Sequence, residues 1–192
     1  MNNQVINILL AGVGGQGTLL ASEVLSEALM LAGYDVKKSE IHGMSQRGGS
    51  VTSHVRYGKK VFSPLIPEGC ADLLFGFELL ETYRLLPLLR PDARVVANDL
   101  KILPTPVAMG QEVYPEDIAQ KIKAAFPQSQ IVNGLELALQ AGNARTVNVV
   151  LLGALSRLMD LDQKVWAEAL TRQVPERFLQ ENLRAFELGR NR

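Results

Sequence analysis

The chain has 192 residues, enough for one domain with a sizeable core, and 47% of them are hydrophobic, which excludes a disordered tail or a fibre. Twenty basic residues balance twenty acidic ones, so no net field favours nucleic acid or an anionic membrane. The single cysteine, Cys70, excludes an internal disulfide, an iron–sulfur cluster needing about four thiolates, and a thiolate zinc site.

Met1-Asn2-Asn3-Gln4 lacks the positive charge of a signal peptide, and no stretch approaches the roughly 18 apolar residues of a membrane span. With one thiol and no export signal, the expected compartment is the cytoplasm. Val5 to Ala11 is an apolar, β-branched run that stops at Gly12, the pattern of a central parallel strand buried on both faces. Leu19, Leu20, Val24, Leu25, Ala28, Leu29 and Leu31 then recur at helical spacing, with Gly33 as a stop. Tyr34 to Ser39 reads as a second strand, completing a βαβ unit.

Ser50 to Tyr57 alternates between two faces, and Gly58-Lys59-Lys60 predicts a hairpin turn to a partner at Val61-Phe62. Ala71 to Phe77 and Ala93 to Asn98 are further strands, separated by a helical stretch from Leu79 to Leu89. Pro104 and Pro106 mark a loop or edge segment, Ile118 to Phe126 a helix, and Ser129 to Val132 the last strand. From Leu135 the pattern is helical, broken near Asp160-Leu161-Asp162 and stopped at Gly189. No internal repeat or low-complexity linker interrupts it. The expected fold is α/β: residues 1–192 as one doubly wound, mostly parallel, Rossmann-like sheet with helices on both faces and closing the C-terminus.

Two constellations carry chemistry. Gly12-Val13-Gly14-Gly15-Gln16-Gly17 satisfies G-x-G-x-x-G after a strand and before a helix, where backbone amides favour an anion. No lysine follows, which excludes a phosphate-loop nucleotidase. Spacing alone leaves three readings open: NAD(P), with Glu40 on the ribose; another phosphorylated or anionic group; or a tight turn with no ligand. Metal-ligand spacing is not found, so no metal site is expected.

The second constellation is Glu40-Ile41-His42-Gly43-Met44-Ser45-Gln46-Arg47-Gly48-Gly49-Ser50. A guanidinium flanked by glycines can present its fork, with nearby amides, to a carboxylate or phosphate. Ser45 and Gln46 add neutral hydrogen-bonding groups, and His42 could titrate near neutrality. Ser45 has no base and acid partners for a nucleophile triad.

Together the two constellations, with Ser53-His54-Val55-Arg56 after them, resemble the gamma subunit or gamma domain of 2-oxoacid:ferredoxin oxidoreductases. The nearest likeness is to the small beta subunit of the indolepyruvate branch, and it extends through Asn148 to Ala154 and Glu181-Asn182. The resemblance implies oxidative decarboxylation of a 2-oxoacid, with coenzyme A and ferredoxin, to an acyl-CoA and carbon dioxide. It also implies that thiamine diphosphate, its Mg2+ and the iron–sulfur clusters belong to a larger partner subunit. This chain has neither the cysteines nor a Gly-Asp-Gly stretch with a downstream Asn to hold them. It is not expected to act alone, and in isolation it could pair with itself. The implied cofactor-binding residues are Gly12, Gly14, Gly15, Gln16, Gly17, Arg47, Gly48 and Gly49. Arg47, Ser45 and Gln46 are the candidates nearest the chemistry, acting on coenzyme A phosphates or the oxoacid carboxylate. A free-standing NAD(P)-dependent oxidoreductase and a non-catalytic scaffold are the alternatives.

Overall fold

The computed structural model describes residues 5–42 and 48–192. Six strands form one sheet in the order β2-β3-β1-β4-β5-β6. They are β1 (Ile6–Val13), β2 (Asp35–His42), β3 (Ser50–Gly58), β4 (Ala71–Gly76), β5 (Leu89–Asn98) and β6 (Gln130–Val132). β1, β4, β5 and β6 are mutually parallel, whereas β3 runs antiparallel to both β1 and β2. The helices are α1 (Thr18–Leu31), α2 (Leu79–Arg84), α3 (Thr105–Ala108), α4 (Ile118–Ala125), α5 (Gly134–Ala141), α6 (Val147–Ser156), α7 (Gln163–Gln173) and α8 (Glu176–Arg190).

The period-2 alternation of β1 sends Ile8 and Leu10 to one face and Leu9 and Ala11 to the other. Under the first face lie Val24, Leu25 and Leu29 of α1, Val150 and Leu151 of α6, Trp166 of α7 and Phe186 of α8. The second face packs on Leu79, Ile118 and Ile122 from α2 and α4. Both sides of the parallel half are therefore covered, as its continuous apolar strands require.

Four local readings are corrected. Strand β2 does not lie beside β1, because β3 is inserted between them. The hairpin at Val61-Phe62 does not form. Asp35 Oδ2 instead accepts from the Val61 amide at 2.9 Å and draws that residue into the core, while Phe62 is left 90% exposed. The helix after Phe77 ends at Arg84, and a 3-10 turn at Leu86–Leu88, containing Pro87, leads straight into β5 at Leu89. Gly189 does not stop the last helix, which continues to Arg190. A Cβ at Gly189 would stand 1.8 Å from the Val150 carbonyl oxygen, and one at Gly153 would stand 2.1 Å from that of Phe186. The glycines are there because α6 and α8 cross backbone to backbone.

Candidate functional site

The carboxyl ends of β1, β4, β5 and β6 open onto one cleft of about 620 Å³. Its lining includes Gly15, Gln16 and Gly17 from the first turn, Asn98 after β5, Asn133 after β6, and Arg145 and Asn148 before and within α6. Leu20, Leu135 and Val147 supply apolar wall. The N-termini of α1, α5 and α6 all begin at this lining, so three helix dipoles present their positive ends to one space. Arg145 adds a full cation, while Asp99 puts a carboxylate on the rim.

The two sequence constellations meet. The Gly14 amide donates to the Gly49 carbonyl at 2.8 Å, and the Gly48 amide donates back to the Gly14 carbonyl at 3.3 Å. These bonds extend the β1–β3 pairing past Val13 and Ser50 with two residues, Gly48 and Gly49, opposite Gly14, so the antiparallel insertion of β3 is what joins the motifs. Ser50 is held from the other side, its hydroxyl donating to the Glu81 carboxylate at 2.6 Å. The candidates Ser45, Gln46 and Arg47 lie outside the described residues.

The turn uses its polar groups internally more than the motif alone indicates. Gln16 Oε1 accepts from the Val13 amide at 2.7 Å, and Gln16 Nε2 donates to the Phe77 carbonyl at 3.0 Å. That side chain braces β1 against β4 and is not available to a ligand in this arrangement. The Gly14 amide is likewise spent on Gly49, which leaves those of Gly15 and Gly17 without an acceptor among the described residues. Gly17 caps α1 with φ +76°, and a Cβ there would stand 2.6 Å from Asn148 Nδ2, which donates to the Gly17 carbonyl at 3.3 Å. Buried Asn98 ties two more walls together: its Nδ2 donates to the Phe77 carbonyl at 3.2 Å and its Oδ1 accepts from the Gly134 amide at 3.1 Å.

Sequence reasoning missed Asn98, Asn133, Arg145 and Asn148. Asn98 and Asn133 carried a signal, as asparagines at strand ends whose short amide side chains accept from the first amides of α5. Among the described residues no group of three or more His, Cys, Asp or Glu side chains could hold a metal ion, and Cys70 is exposed. One cysteine cannot supply the roughly four thiolates of an iron–sulfur cluster.

Residues 7–192 match the pattern of the family described as pyruvate ferredoxin/flavodoxin oxidoreductase. The chain belongs to this family. It is 40% identical over 188 residues to indolepyruvate oxidoreductase subunit IorB of Thermococcus kodakarensis, covering 95% of this chain and 93% of that one. The keto/oxoacid ferredoxin oxidoreductase gamma subunit of Geobacter sulfurreducens superposes with a TM-score of 0.72 at 22% identity, over 97% and 96% of the two chains. The Magnetococcus marinus 2-oxoglutarate:ferredoxin oxidoreductase, solved with 2-oxoglutarate, coenzyme A and succinyl-CoA bound, superposes with a TM-score of 0.73 at 21% identity. There 99% of this chain covers only 31% of that one. This chain is thus a subunit of a 2-oxoacid ferredoxin oxidoreductase, an enzyme assembled from more than one subunit.

The NAD(P) geometry is not reproduced. In a dinucleotide fold the acid on the second strand reaches a ribose held over the first. Here β3 separates those strands, placing Glu40 two strand spacings, about 10 Å, from β1. Its carboxylate accepts from Ser22 Oγ at 3.1 Å and lies 3.4 Å from Lys38 Nζ.

Proposed function

We propose that this chain is the small subunit of an indolepyruvate-type oxidoreductase and that its carboxyl-edge cleft receives the phosphate-bearing end of coenzyme A. The reaction converts an aryl-pyruvate and coenzyme A to an acyl-CoA and carbon dioxide, the two electrons passing to ferredoxin in the cytoplasm. The larger partner subunit would hold thiamine diphosphate with Mg2+ and the iron–sulfur clusters, and no step involving them is placed on this chain.

One observation carries the proposal: three helix N-termini and Arg145 face a single cleft beside the Gly14–Gly49 junction. Oriented amides and a guanidinium select a phosphate over a neutral group, and the sheet fixes them before the ligand arrives. The Gly15 and Gly17 amides and Arg145 would take the anionic oxygens, while Leu20, Leu135 and Val147 would cover apolar parts of the ligand. Asp99, also in the lining, would repel an anion held close to it. Arg47, the chain neighbour of Gly48, would add a second guanidinium from the other motif, with Ser45 and Gln46 orienting the bound acid and excluding water. Identity to the indolepyruvate subunits over 95% of the chain supports an aryl-pyruvate as the oxoacid.

Amide hydrogen exchange in the assembled enzyme tests this reading. Coenzyme A should slow exchange at Gly15 to Thr18 and at Gly134 to Glu136. Unchanged exchange there, at coenzyme A concentrations that saturate turnover, would leave the glycine loops as an interface only and overturn it.

A further inference from the structure

Strand β2 is the long, open edge of the sheet. Eight residues pair with β3 on one side, and among the described residues no strand pairs on the other, whereas the opposite edge, β6, is only three residues long. An edge of this length offers a row of unpaired amides and carbonyls, and natural proteins guard such rows with lysine. Lys37 and Lys38 do that here, but Glu40 follows two residues later on the same face as Lys38. Both point towards α1, since Lys38 ion-pairs with Glu23 and Glu40 accepts from Ser22. Ser39 and Ile41 point the other way, and Ile41 is 53% exposed.

We infer that β2 pairs antiparallel with β2 of a second copy of this chain, with Ser39 facing Ser39 across a two-fold axis. In an antiparallel ladder, directly opposed residues share a face. Centring the axis on Ser39 sets each Lys38 opposite the partner's Glu40 and each Lys37 opposite the partner's Ile41. The Lys38 ammonium groups and Glu40 carboxylates then form a closed ring of four alternating charges. Centring on Lys38 opposes two ammonium groups, and centring on Glu40 opposes two carboxylates. The charges therefore admit one register and reject its neighbours on the same face, which is how an edge can bind itself and refuse other strands. An isologous contact of this kind closes on itself and leaves no further edge of comparable length. The sheet would become a continuous twelve-stranded one with α1 on the same side in both halves. The glycine cleft lies on the other side of β1 from β2 and is left open, so this inference stands apart from the coenzyme A reading.

Disulfide trapping in the assembled enzyme tests it, with Cys70→Ala as background and Ser39→Cys as the probe. Opposed Cβ atoms in such a ladder are about 4.5–5.5 Å apart, close enough to link with small adjustment. Mild oxidation should yield a reducible species of twice the 21.0 kDa chain mass. Adding Lys38→Glu should cut its yield at least tenfold, and the swap Lys38→Glu with Glu40→Lys should restore it. Failure to link, linkage to a different polypeptide, or a yield indifferent to the two charge changes would each overturn the inference. Lys38 and Glu40 are partly buried against α1, so the thermal unfolding midpoint of each variant, measured alongside, separates loss of the contact from loss of the fold.

Discussion

Replacing Gly17 by alanine separates backbone strain from crowding at the entrance to the cleft. The residue sits at φ +76°, ψ 24°, a left-handed conformation that costs an L-residue about 1–2 kcal/mol. The added methyl would lie 2.6 Å from Asn148 Nδ2 and 3.1 Å from Asn148 Cγ, but an ordinary 3.4 Å from Asn148 Cβ. Asn148 is buried and donates to the Gly17 carbonyl, so pushing it aside forfeits a hydrogen bond of about 1 kcal/mol besides the steric cost. We expect Gly17→Ala to destabilise the chain by about 3 kcal/mol. In an Asn148→Ala background only the Cβ contact remains, and the same change should cost the strain alone, about 1–2 kcal/mol. Urea unfolding of the four members of the cycle should show a coupling of about 1 kcal/mol or more. Strict additivity would refute the claim that Asn148 is what requires glycine at position 17.

The remaining predictions concern other parts of the frame. Gly189→Ala should destabilise by about 3 kcal/mol or more, read as a drop in Tm, because its methyl meets the Val150 carbonyl at 1.8 Å with backbone on both sides. Tyr114→Phe should cost about 1–2 kcal/mol in urea, since it removes one donor from Glu78, a carboxylate only 1% exposed that also accepts from the Glu81 and Ile102 amides. Burial first, and the Arg56 charge second, hold the His54 imidazole below its usual value of 6.5. The folded state therefore binds this proton less readily than the unfolded chain. The contribution is complete above pH 6.5 and is lost as pH falls from there through the folded value. Its Nδ1 accepts from the Ile66 amide at 3.1 Å, so acidification through the lowered folded value should reduce the protection factor of the Ile66 amide, its exchange being corrected for the intrinsic pH dependence, and His54→Asn should abolish that change. Arg47→Ala should raise the Michaelis constant for coenzyme A or the oxoacid at least tenfold in an enzyme whose subunits still associate.

Much of the frame was legible because it is local. The apolar run into Gly12, the helical spacing after Gly17 and the alternation from Ser50 to Tyr57 each report one element's own periodicity. What that periodicity cannot encode is which strand neighbours which. β3 reads the same whether it lies outside β2 or between β2 and β1, and only the second arrangement brings Gly48 and Gly49 onto Gly14. The Val61-Phe62 hairpin failed for a related reason: Asp35, 26 residues away, captures the Val61 amide. The resemblance implies a cofactor contact for Gln16, yet its side-chain amide closes the turn on Val13 and Phe77. Arg145 and Asn148 stand more than 120 residues from Gly17, beyond the reach of any motif. Gly189 shows the converse ambiguity, since a glycine near a helix end reads as a stop when its reason is a neighbouring helix.

Steady-state kinetics of the assembled enzyme carrying Arg145→Ala address the cleft most directly. The expected outcome is a Michaelis constant for coenzyme A raised at least tenfold, with that for the oxoacid unchanged and the subunits still joined. Wild-type constants for both substrates in that variant would contradict a phosphate-binding role for the cleft.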